Sequence, residues 1–176
     1  MPRKSLLKPD AHVTSVTVLT PAWLAERGVR ALLVDLDNTL APWRSRDPAP
    51  EVRAWVRSLQ SAGVGVCVLS NSRVPRRVAY VAADLGLPHV AWAGKPRRSG
   101  FRRALSALGV ARPSEAAVVG DQLLTDVVGG NRIGAVTVLV RPVSPREFIG
   151  TRCIRPLEQW ILRRCGMEAP DDGARQ

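Results

Sequence analysis

The sequence predicts an α/β domain built on a doubly wound parallel sheet of about five core strands. Short apolar runs alternate along the chain with segments of helical period, the pattern of strand–helix–strand crossovers. The runs are apolar throughout, as strands covered on both faces are. A chain of 176 residues that is 45% hydrophobic suits one domain with a real core.

Residues 1–20 read as an arm with some alternation (Val13, Val16, Val18) and no clear element. Thr20-Pro21 offers a capping hydroxyl and a proline at the first helical position, so a short helix is expected up to Gly28. Residues 31–34 are the first strand, with acids just past its end. Val52, Trp55, Val56 and Leu59 mark one helical face, stopped by Gly63. Residues 64–70 are the second strand, and a helix follows Pro75 with Val74, Val78, Val81 and Leu85 on one side. His89–Trp92 is the third strand, Phe101, Leu105 and Leu108 mark a third helix, and strands four and five fall at 116–121 and 135–140. The arrangement is Rossmann-like. Residues 1–150 form the domain with its arm, 151–167 a C-terminal helix packed on it through Leu157, Trp160 and Ile161, and 168–176 a disordered tail.

Composition excludes several classes. No apolar run approaches the roughly 18 residues of a membrane span, and the basic start lacks the apolar core of a secretory signal. A cytoplasmic protein is expected, with peripheral contact at the inner face of the membrane an open alternative. Cys67, Cys153 and Cys165 contain no CxxC pair, which argues against a disulfide framework and against zinc. His12 and His89 stand alone and read as core or surface residues. The net charge of +11 favours an anionic partner: a phosphorylated substrate, an anionic membrane or nucleic acid.

Ligands of such a sheet bind beyond the carboxyl ends of its strands. Four strand ends are polar here: Asp35-Leu36-Asp37-Asn38-Thr39, Ser70-Asn71-Ser72, Gly94-Lys95-Pro96, and Gly120-Asp121 with Asp126 after it. Acids, a hydroxyl and a lysine on one rim suit a Mg²⁺-assisted phosphate site: hard carboxylate oxygens take the cation, and the lysine and backbone N–H groups take phosphate oxygens.

In this order DLDNTL, LSNS, GKP and GDQLLTD resemble the four motifs of the haloacid dehalogenase superfamily of phosphohydrolases, over residues 31–140. The run at 120–135 is similar to the capless subclass IIIA, and within it to the small bacterial group related to mitochondrial phosphatidylglycerophosphate phosphatase. The resemblance implies Asp35 as nucleophile and Asp37 as general acid and base. It implies Ser70 and Asn71 as phosphate-binding residues, and Lys95 on the phosphoryl group and the nucleophile. It implies Mg²⁺ held by Asp35, the Asp37 backbone carbonyl and Asp121, with Thr39 and Asp126 in support.

The spacing of the motifs leaves no room for a cap domain, so the resemblance further implies a bulky substrate. The favoured one is phosphatidylglycerophosphate. The alternatives are a phosphorylated nucleic acid end or a phosphoprotein, or an RNA- or ribosome-binding role on a phosphatase fold. Arg73, Arg76 and Arg77 follow the second motif and are candidate contacts to a second phosphate on the substrate.

Overall fold

The computed structural model describes residues 5–144, 156, 158, 160–164 and 166. Six strands form one parallel sheet: β1 (Ala11–Val13), β2 (Ala31–Val34), β3 (Gly65–Leu69), β4 (His89–Val90), β5 (Ala116–Gly120) and β6 (Val136–Val140). Their spatial order is β1-β6-β5-β2-β3-β4. From β2 the chain runs outward to β3 and β4, then returns to the other side of β2 to lay down β5 and β6. The order therefore reverses between β2 and β5. The crevice beyond their carboxyl ends is where such a sheet takes a ligand.

The helices form because their apolar residues recur at helical spacing and can be buried on one side. α1 (Pro21–Ala25) starts as the sequence predicts: the Thr20 hydroxyl accepts from Trp23 N at 3.2 Å, and Pro21 takes the first helical position. α2 (Pro50–Ser61) buries Val52, Trp55, Val56 and Leu59. α3 (Pro75–Asp84) and α4 (Arg98–Ala107) follow, and α5 (Val128–Ile133) ends in the left-handed Gly134, a conformation glycine adopts without a Cβ penalty.

The sheet divides the core by its pleat, because successive side chains point to opposite faces. Leu32 and Val34 of β2 pack with α2 and α3, whereas Ala31 and Leu33 pack with Phe101, Ala104 and Leu105 of α4. Cys67 lies on the α4 face, and burial pushes its thiol up to about 12, so it is an inert apolar filler.

Two expectations need correction. The five expected strands are joined by a sixth, because the N-terminal arm, read as having no clear element, contributes β1, paired with β6 in the register Ala11 to Val138. The third strand is only His89–Val90; its expected continuation is turn, with Trp92 at φ 51°.

Between β2 and β3 the chain holds one loop and α2, and between β3 and β4 only α3, so no cap is inserted. No described helix is long and apolar enough to cross a membrane. Of the C-terminal segment, Leu162 is buried with Leu123, Val127 and Leu139. Leu157, Arg155, Cys153, Cys165 and the tail from 168 lie outside the described residues.

Candidate active site

Asp35 leaves the end of β2 with its backbone N–H still donating to Val119 O of β5 at 2.8 Å, so the last sheet bond fixes its direction. The chain then wraps tightly. The N–H groups of Leu40 and Ala41 both donate to Leu36 O at 3.1 Å. Asn38 stands at φ 58°, a left-handed conformation that Asn tolerates better than most residues. Its side-chain oxygen accepts from Trp43 N at 3.1 Å. This wrap leaves Asp35 and Asp37 lining one cavity of about 690 Å³.

Asp35 and Lys95 form the floor of the cavity and belong to a buried charge cluster. Carboxylate oxygens of Asp35, Asp121 and Asp126 all lie within 4.8 Å of one another. Lys95 Nζ donates to Asp35 Oδ1 at 2.6 Å and to Asp126 Oδ1 at 2.7 Å. Burial alone would lower the Lys95 ammonium; Asp126 and Asp35 outweigh it and hold it above the ordinary lysine range. Asp35 is pushed up to about 7, first by burial and then by Asp126, against the pull of Lys95.

Three carboxylates thus face one ammonium, a negative excess held out of water. All-oxygen donors with that excess fit a hard divalent cation, whose charge would balance the set. The residues that would hold it are Asp35, Asp121 and Asp126. The side chain of Asp37 is not among them; it is turned to Arg77 instead.

Asp126 reaches the floor through a local irregularity. Residues Leu123–Val127 form a π turn, with Asp126 buried inside it. The turn lays the Asp126 carboxyl directly over Gly120, so closely that any Cβ at 120 would collide with it. Asp126 Oδ2 accepts from Gln122 N at 3.3 Å, and the buried Glu158 accepts from Leu124 N at 3.2 Å.

The second and third motifs are tied to each other. Asn71 Oδ1 accepts from Lys95 N at 2.8 Å, and its amide donates to Lys95 O at 3.0 Å, so Asn71 clasps the lysine backbone. Ser70 is buried, and its hydroxyl accepts from Ser72 N at 3.0 Å. Thr39 is buried at the back of the wrap, and its hydroxyl has no hydrogen-bond partner among the described residues.

The candidate arginines separate. Arg73 and Arg77 line the cavity, Arg76 is exposed and does not, and Arg77 is also buried. Arg77 donates to Asp37 Oδ2 at 2.5 Å and to Ser45 O at 2.9 Å, so the protein itself takes two of its N–H groups and pairs its charge. Sequence reasoning missed Trp43, Arg44 and Arg46, which line the mouth from the loop after β2. Loops carry no periodicity to mark them. Arg77 had a signal: it sits beside Val78 and four residues before Val81, on the buried side of α3, where an arginine needs a partner.

The chain matches the haloacid dehalogenase-like hydrolase family over residues 21–134. It is 38% identical over 159 residues to "Probable phosphatase YqeG" of Bacillus subtilis, covering 90% of this chain and 91% of that protein. It is 29% identical over 164 residues to the chloroplastic phosphatidylglycerophosphate phosphatase 1 of Chlamydomonas reinhardtii, covering 86% of this chain and 61% of that one. A solved haloacid dehalogenase-like hydrolase of Brucella suis shares its fold, with a TM-score of 0.54 at 13% identity, over 73% of this chain and 93% of the other. With these likenesses beside a capless parallel sheet whose strand ends carry the four motifs, the chain belongs to the haloacid dehalogenase-like hydrolases, as one of the family's phosphatases.

Proposed function

We propose that the enzyme hydrolyses phosphomonoesters through an aspartyl-phosphate on Asp35, as a capless member of subclass IIIA. The observation that carries this reading is the floor: a buried aspartate held by Lys95 beside two further buried acids. Asp35 attacks phosphorus through a carboxylate oxygen, and the bond from phosphorus to the leaving oxygen breaks. Asp37, lining the same cavity, gives its proton to that oxygen. A water molecule then attacks the aspartyl-phosphate, Asp37 takes its proton, and the Asp35–phosphorus bond breaks to release phosphate.

Lys95 carries phosphoryl charge, and the Ser70 hydroxyl with the backbone about Asn71 binds the remaining oxygens. Mg²⁺, held by Asp35 and Asp121 with Asp126 in support, would supply positive charge against the phosphoryl oxygens.

We infer that the substrate is bulky and anionic beyond its scissile phosphate. Arg44, Arg46 and Arg73 line the mouth, and the guanidinium of none of them meets a carboxylate among the described residues. Trp43 and Val74 add apolar surface beside them. Phosphatidylglycerophosphate fits this mouth: a phosphomonoester, a second phosphate within reach of guanidinium groups, and a lipid carrier. The likeness to the phosphatidylglycerophosphate phosphatase of Chlamydomonas reinhardtii supports the same substrate. The enzyme would then work from the cytoplasm at the inner face of the membrane.

The test is phosphate release with Mg²⁺ and with EDTA from four substrates: an aryl phosphate, phosphatidylglycerophosphate in anionic vesicles, a 5′-phosphorylated oligonucleotide and a phosphopeptide. The expected result is Mg²⁺-dependent turnover with the highest kcat/KM on the lipid. Preference for the oligonucleotide or the peptide overturns the substrate, and turnover that survives in Asp35→Asn overturns the mechanism.

A further inference from the structure

A guanidinium is buried at high cost unless acceptors meet it, so a buried arginine marks something that is being held. Arg77 is 5% exposed. One of its nitrogens donates to Asp37 Oδ2 at 2.5 Å, and the other reaches Ser45 O at 2.9 Å. The second Asp37 oxygen accepts from Arg44 N at 3.1 Å. The carboxylate is therefore gripped at both oxygens, by its own loop on one side and by α3 on the other. Arg44 is held in turn at φ 63°, and Ser45 follows it, so the fork of Arg77 spans the loop that supplies the other grip.

We propose that Arg77 is a positioning residue for leaving-group protonation: by bridging Asp37 and the Ser45 carbonyl it aims the Asp37 carboxyl at the leaving oxygen. The inference rests on the reading of Asp37 as general acid and base.

Geometry argues for this role and against substrate binding. Two of the five guanidinium N–H groups are taken by protein oxygens, and the charge of the fork is paired with Asp37 rather than left for a phosphate. The Asp37 side chain is 21% exposed, so without Arg77 one backbone bond alone would hold it against free rotation at the cavity wall. Proton transfer in the transition state needs the acid within hydrogen-bond reach, and a displacement of about 1 Å costs on the order of 100-fold. Lysine cannot replace the fork, because a single ammonium reaches one acceptor direction well where guanidinium reaches two.

The experiment measures single-turnover release of the alcohol, and kcat/KM, on phosphomonoesters ranging from a nitrophenol to a simple alkyl alcohol. Good leaving groups need little protonation, and poor ones need it most. Arg77→Ala is expected to lower kcat/KM by about 10-fold on the nitrophenyl ester and by about 100-fold or more on the alkyl ester, with Arg77→Lys between it and wild type. Asp37→Asn should show the same steepening, and adding Arg77→Ala to it should cost less than about threefold more, because both act through one proton. Circular dichroism and thermal melts establish that each variant folds, and Arg77→Lys gives the answer if the alanine variant does not.

A loss in both Arg77 variants that is uniform across leaving groups overturns the proposal, since that is the mark of lost binding. So does a loss that adds fully to that of Asp37→Asn. If Asp37→Asn itself leaves the leaving-group dependence unchanged, the reading of Asp37 fails first and takes the proposal with it. If Asp37→Asn steepens it and Arg77→Ala does not, the proposal alone fails.

Discussion

Asp35 and Asp37 stand two residues apart on one wrap of chain, yet the floor and the mouth of the cavity treat them as different groups. Asp35 is buried among acids with one ammonium, and is pushed up to about 7. Asp37 stands partly exposed against a guanidinium and a backbone N–H. The floor holds a negative excess that calls for a cation, and the mouth holds arginines that call for an anion. Under the proposed mechanism, residue type does not separate the nucleophile from the acid; the neighbours do.

The sharpest break of this comparison is at the floor. Asp35→Asn should reduce phosphate release by about 10⁴-fold or more, because no other group replaces the nucleophile. A variant with a substantial fraction of wild-type turnover would remove Asp35 from the chemistry.

Lys95→Met takes the one ammonium from three carboxylates. Turnover should fall by about 10²–10³-fold, and thermal melts in EDTA should report a loss of about 3–5 kcal/mol. An unchanged melt would mean that the cluster is not held together by charge.

Mg²⁺ should raise the melting temperature, by the equivalent of about 2.7 kcal/mol at 100 times its Kd, and EDTA should reverse the shift. Asp121→Asn should shrink that shift, whereas Arg46→Ala at the mouth should leave it intact. An equal response in both variants would place the cation elsewhere.

Gly120→Ala drives a methyl into the Asp126 carboxyl. A cost of about 1–3 kcal/mol is expected, together with lost turnover, since Asp126 is displaced from Lys95. Arg46→Ala is the mildest of the set: stability within about 0.5 kcal/mol of wild type, and a several-fold higher KM confined to carriers with a second negative charge.

Most of the sheet was legible in the sequence because its strands are apolar on both faces and its helices repeat at 3.6 residues. β1 was not, because three half-buried residues acquire strand character only by pairing with β6, far along the chain. The floor was legible by motif, since Asp35, Lys95 and Asp121 stand where strand ends should be. The closeness of Asp126 was not, because a π turn has no period that a short run can display. Arg77 was assigned outward, as one of three neighbouring arginines. Its helical phase, four residues before the buried Val81, was the local signal that it turns inward.

The register of β1 also bears on how the molecule is made. Asp10 Oδ2 accepts from Thr137 N at 2.8 Å across 127 positions of sequence, and β1 has no other strand to pair with. At synthesis rates of about 5–20 residues per second, β1 therefore waits roughly 6–25 s for its partner. β2, β3 and β4 can assemble on one another as they emerge, but the N-terminal edge closes only at the end. A nascent chain arrested before residue 136 should accordingly leave residues 5–13 open to protease and to chaperones.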